Sequence, residues 1–327
     1  MRLFFLTHFM LLLLSCRLTE GGGGEINPPD SSAFIHYSSV QPIDFTSNTT
    51  IYDSFAFASD GYGSIAIYNV NNAYQPHLMT SLALPTGNQS IRKIAVDWRF
   101  NLYIAAGSGG VFIVNCSNQY FPSIEREFPH LLAYDLSMQE DYIVTTDRGG
   151  WKLFYLTSAS NMTEIGSYDF FDGRQPEKIL IRGNWVYVTS KNHFDIFDIT
   201  NSSNIRHEGS FSFTNSVVDF DIIGDFIVLL TTHDLYYIDI SQPLYAEIAG
   251  YYGLQLMPKT MRVRGHHLFI SWTNNSFSAY KVWGINTLPT EESRINFSNM
   301  VLDIHFNKDL IYLSKGYEGL HVYYYME

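Results

Sequence analysis

Asp219-Phe-Asp-Ile-Ile-Gly-Asp-Phe-Ile-Val-Leu-Leu-Thr-Thr-His-Asp-Leu-Tyr-Tyr-Ile-Asp-Ile-Ser-Gln-Pro-Leu-Tyr-Ala-Glu-Ile-Ala-Gly250 reads as four short strands parted by turns. Phe226 to Leu230 is a continuous apolar run of strand length, the pattern of a strand buried on both faces. Gly224-Asp225 before it is a turn signal, because Gly takes positive φ freely. Leu235 to Ile240 is the next strand. Pro243 ends it, since Pro has no N–H for a ladder. Glu247 to Tyr252 is a shorter outer strand.

The unit recurs along the chain. Apolar runs begin at Phe55, Leu102, Tyr142, Trp185, Phe226, Leu268 and Leu310, at spacings of 47, 40, 43, 41, 42 and 42 residues. A four-stranded propeller blade takes about 40–45 residues. Seven runs predict an all-β, seven-bladed β-propeller with four-stranded antiparallel blades. The seventh copy stops at Glu327, one strand short. An unpaired edge there would invite aggregation, so residues near Phe34–Val40 are expected to supply the last blade's outer strand and close the ring.

The strand after each apolar run also repeats, clearest at Gly109–Asn115, Phe194–Thr200 and Leu235–Pro243. Its pattern of Gly, alternating hydrophobics, Asp-Ile-Ser-x-Pro resembles the LVIVD repeat of bacterial and archaeal cell-surface propellers, over roughly residues 50 to 325. Asn69 and Asn115 replace the family's Asp. The resemblance implies the fold and little about activity.

Residues 1–15 fit a secretory signal: Arg2, then an apolar stretch too short for the roughly 20 residues a membrane span needs. Leu13-Leu-Ser-Cys16 resembles the bacterial lipobox, which makes Cys16 the expected lipid-attachment site. Residues 16–32 then form a Gly-rich tether around Gly21–Gly24, and residues 33–327 the propeller. Arg17 follows the Cys, where Asp would retain a lipoprotein at the inner membrane under the enteric sorting rule. These features predict a lipoprotein of the bacterial cell envelope, at the outer membrane and displayed at the surface, held by its acyl chains.

Net charge is −12 among 327 residues. That argues against nucleic acid, which needs basic patches. The two cysteines, Cys16 and Cys116, leave no internal disulfide framework once the first is lipidated, and Cys116 reads as a buried, inert thiol. The strand before each run should line the axis. Counting seven residues back gives Asn48, Ala95, Asp135, Lys178, Asp219, Met261 and Asp303. Asp135, Asp219 and Asp303 are the candidate channel-lining acids. They either hold a cation or, the favoured reading, accept hydrogen bonds that lock adjacent blades. Arg182 and Arg262, with Arg264, are expected on the inner strands or their exits as compensating cations. The pair His266-His267 is expected in a solvated turn. No nucleophile elbow, phosphate loop or metal-chelating spacing occurs.

The expected function is a non-catalytic binding module with no cofactor and no metal. Its partner is expected to be a protein or glycan, contacted by loop aromatics such as Tyr62, Tyr74, Tyr120 and Trp283. An envelope scaffold is the alternative, and a propeller-type metal-dependent hydrolase a lesser one.

Overall fold

Seven separate four-stranded antiparallel sheets make up the fold, each paired only with itself. The computed structural model describes residues 33–42, 45–59, 61–87, 89–158, 161–284 and 289–326. The signal segment, Cys16 and the Gly21–Gly24 tether lie outside them. The inner strands are Thr49–Tyr52, Lys93–Val96, Leu136–Gln139, Lys178–Arg182, Val217–Ile223, Pro258–Arg264 and Asp303–Asn307, in blades one to seven. One 3₁₀ turn, Pro243–Tyr245, is the only helical element among the described residues.

The apolar runs that revealed the repeat are the second strands, and their burial on both faces has a simple cause. Alternate side chains of a strand point to opposite faces, and here each face meets a neighbouring blade. Leu102 and Ile104 pack toward blade one, while Tyr103 and Ala105 pack toward blade three. Val186 and Val188 face blade three, and Tyr187 faces blade five. The core is therefore a series of apolar slabs between blades, not one central cluster. Measured from where the second strands begin, at Phe55, Asn101, Tyr142, Trp185, Phe226, His267 and Leu310, the repeat is more even than the apolar runs suggested.

The ring closes as the sequence predicts. Phe34–Val40 pairs antiparallel with Leu320–Tyr325 as the outermost strand of blade seven. The equivalence is detailed. In blades one to six the outer strand carries a bulge opposite the third strand, for instance between Ile67 and Tyr68, and between Tyr237 and Ile238. Phe34–Val40 has the same irregularity, between His36 and Ser38. A bulge bends and twists a strand, so the N-terminal strand follows the curvature of the six outer strands that arrive by a covalent hairpin. Phe34 is buried against Phe269, Phe277 and Tyr325, with ring centroids 5.1–6.3 Å apart. Ala33 N donates to Ser293 Oγ of blade six at 2.9 Å.

Because successive strands alternate direction, the hairpins joining inner to second and third to outer strands share one face. The loops between blades open on the other.

Candidate functional site

The first inward position of each inner strand decides how blades are joined. It is occupied in order by Asn48, Lys93, Asp135, Lys178, Asp219, Thr260 and Asp303, each opposite the equivalent residue of its second strand. Counting back from the apolar runs gave Ala95 and Met261 in blades two and six, and the structure corrects both. Blade two turns through a longer hairpin, Asp97 to Asn101, with Phe100 at φ 63°. In both blades the second strand also begins with a polar residue, Asn101 or His267, that an apolar search passes over.

At this position the odd blades carry acceptors. Asn48 Oδ1 accepts from Ile94 N at 3.1 Å, and Asp135 Oδ2 from Ile179 N at 2.9 Å. Asp219 Oδ2 accepts from Met261 N and Asp303 Oδ2 from Thr49 N, both at 3.1 Å. A second tier lies two residues on. Ser137 Oγ accepts from Ile181 N, Asp221 Oδ2 from Val263 N and His305 Nε2 from Ile51 N. Each seam leaving an odd blade is thus stitched by side chains to the backbone of the next inner strand. These donors face a neighbouring sheet at no ladder position, and a buried N–H without a partner is costly.

Cations cross two of the three seams that leave even blades, those from blades four and six. Lys178 Nζ lies 3.1 Å from Asp219 Oδ1, and Arg262 Nη2 lies 3.2 Å from Asp303 Oδ1. Arg262 also reaches Asp219 Oδ2 at 3.2 Å. Arg182, expected on the axis, instead stands exposed at the far end of its strand and donates to Gly224 O of blade five at 2.6 Å. Arg264, half-buried at the end of its own strand, likewise reaches across a seam, to Asp309 of blade seven at 3.4 Å. Seven is odd, so two acceptor blades must meet once, at blades seven and one. There Asp303 is followed by the neutral Asn48, which avoids setting two carboxylates side by side.

Two cavities lie along the axis. The larger, about 690 Å³, opens on the face of the interblade loops. The smaller, about 420 Å³, opens beside Trp98 and His305. Lys93, Arg262 and Asp303 border both. Among the described residues no three His, Cys, Asp or Glu side chains converge as metal ligands.

Electrostatics follow from these contacts. Burial opposes ionisation of Asp219, but Lys178, Arg262, the Thr260 hydroxyl and Met261 N–H outweigh it and hold the carboxyl well below the usual range. Asp303 is lowered too, burial being overcome by Lys93 and Arg262. Asp135 is raised, because burial exceeds the help of Lys93, Lys178 and Ile179 N–H. Burial pushes His305 down to about 4, against the pull of Asp303. A folded value below the unfolded one means the unfolded chain takes the proton first. Stability from neutral His305 is therefore present above about pH 6.5 and lost as pH falls toward 4. Protonation would also put an N–H where Nε2 now accepts from Ile51 N. The melting temperature of wild type should fall through that window, and His305→Gln should flatten the fall. Parallel pH–melting curves for the two proteins would refute this role.

Three other residues find their places. Cys116 is fully buried between blades one and two, and burial pushes its thiol up to about 12. His267, expected in a solvated turn, is buried at the start of a strand, with Nε2 3.0 Å from Glu292 Oε2. The loop rings Tyr62, Tyr74, Tyr120 and Trp283 are all exposed.

Fold and axis define a seven-bladed β-propeller whose inner strands are laced by alternating acceptors and cations. Residues 173–212, the fourth blade and the loop before it, match the family described as the LVIVD repeat. The chain is thus a seven-bladed β-propeller with a match to the LVIVD repeat in its fourth blade. No curated protein matches its sequence. Among solved structures it is similar to the Pan2 WD40 domain of Neurospora crassa, at 10% identity and a TM-score of 0.70, covering 91% of this chain and 97% of that one. It is also similar to Sqt1 of Saccharomyces cerevisiae, at 10% identity and a TM-score of 0.65, covering 91% and 100%. The computationally designed Ika8 protein matches at 8% identity and a TM-score of 0.67, covering 89% and 99%. Identities this low carry the fold alone.

Proposed function

We propose that this protein is a lipid-anchored propeller of the bacterial cell envelope that binds a protein partner through its hairpin face and performs no chemistry on it. The observation that carries the reading is a group of bare aromatic rings. Tyr74, Trp98, Tyr120 and Phe121 sit on hairpins of blades one and two, on the same face, and each is 61–78% exposed. Arg99 lies over the Trp98 ring at 4.4 Å, and Tyr37 stacks on Tyr74 at 4.6 Å, so two of the rings are held in place. Pre-positioned aromatics and arginine are the residue types that dominate protein interfaces. At the axis, by contrast, Asp219 and Asp303 are engaged by neighbouring backbone and cations, which favours a structural use over a catalytic one.

The anchor rests on the sequence at Cys16 and is tested with the face. A photo-crosslinking phenylalanine analogue at Tyr120 should trap a discrete product on intact cells, and the same group at Phe171, on the opposite face, should not. Cys16→Ser should release the protein from the membrane fraction and abolish that product. Equal crosslinking from both faces, or an unchanged membrane fraction for Cys16→Ser, would overturn the reading.

A further inference from the structure

Of the three seams that leave even blades, one lacks its cation bridge. Lys178 pairs with Asp219, and Arg262 pairs with Asp303. The same step from blade two to blade three would pair Lys93 with Asp135. Those two form no ion pair with each other or with any other described residue. Among the described residues Asp135 accepts only backbone N–H, and burial leaves its carboxyl raised. Both side chains border the larger cavity. Arg92 and Glu177, each one residue before an inner strand, add one further charge of each sign at the same mouth. At about 690 Å³ the cavity falls within the range of small-molecule sites.

We propose that this cavity binds a free α-amino acid, its carboxylate on Lys93 and Arg92 and its ammonium on Asp135 and Glu177. The argument is complementarity. A simple anion placed against Lys93 would face Asp135 and Glu177. A simple cation placed against Asp135 would face Lys93 and Arg92. A zwitterion meets both pairs at once, and charge-assisted hydrogen bonds are the stronger kind. The site opens on the interblade-loop face, away from the exposed rings of blades one and two, so it stands or falls independently of the proposed partner.

Calorimetric titration of the detergent-solubilised full chain with a panel of common α-amino acids tests this. At least one should bind saturably, with acetate and methylammonium much weaker. Lys93→Met and Asp135→Asn should each weaken that binding by about tenfold or more, the scale of one charge-assisted hydrogen bond. Asp135→Asn keeps an acceptor for Ile179 N, so its melting temperature should stay near wild type and show that the fold is intact. The proposal is overturned if no amino acid binds, if acetate or methylammonium binds as tightly, or if both variants bind like wild type.

Discussion

Removing residues 26–45 is expected to lower the melting temperature sharply, by about 10 °C or more, because the ring then loses its closing strand. The estimate starts from one side chain. Phe34 is 7% exposed and sits among Phe269, Phe277 and Tyr325. Truncating such a ring costs about 3–5 kcal/mol, and each kcal/mol is worth about 2–4 °C in a domain of this size or somewhat smaller. The deletion takes more than that ring. It strips the ladder from Leu320–Tyr325 and the link from Ala33 N to blade six. It also bares an edge strand, which templates association with other chains, so loss of soluble protein should accompany the fall. Phe34→Ala should show a smaller drop in the same direction. Adding a peptide spanning residues 33–42 should partly restore the melting temperature of the deletion, since the clasp is noncovalent. A deletion that melts like the full chain would show that the ring does not depend on this strand.

How much of this was legible in the sequence depended on the kind of contact. The repeat was legible because each second strand is squeezed between two blades and must be apolar on both faces, as at Leu102–Ala105 and Phe226–Leu230. The clasp was legible by counting, because the seventh copy is one strand short. The axis was legible in part. A fixed offset found Asn48, Asp135, Lys178, Asp219 and Asp303, and missed Lys93 and Thr260. The longer turn at Asp97–Asn101 and the polar strand starts at Asn101 and His267 shift the count by one or two residues. Arg182 was misplaced for a different reason: periodicity puts a residue on a strand but does not say whether its long side chain turns inward or reaches across a seam to Gly224. The alternation of acceptor and cation blades needed the structure, since each bond joins residues some 40 apart, and Asp303 and Thr49 lie at opposite ends of the propeller's sequence.

Asp219→Ala is expected to be the most damaging single change at the axis. The carboxylate is 1% exposed and holds Met261 N, the Thr260 hydroxyl, Lys178 and Arg262 together. Without it two cations are left facing each other across the axis, and breaking a buried pair from one side costs about 3–5 kcal/mol. Asp219→Asn should cost less, because an amide oxygen still accepts from Met261 N while the charge is lost. Asp135→Asn is the matched control. It sits at the same position two blades away and accepts the same kind of backbone bond, but its carboxyl is raised, not lowered. Ionised Asp135 adds nothing to stability at neutral pH, and the amide should be nearly silent. The sign can be checked with acid. A depressed folded value makes the Asp219 contribution fully present above the ordinary carboxylate range, and it is lost as pH falls through the folded value. Its loss therefore begins below the window in which His305 takes its proton. Wild type should lose stability in two steps on acidification, and in Asp219→Asn the more acidic one should shrink to the share that Asp303, also lowered, still carries. If Asp219→Asn and Asp135→Asn melt alike at neutral pH, the two carboxylates are interchangeable. The seam between blades four and five is then not held by charge.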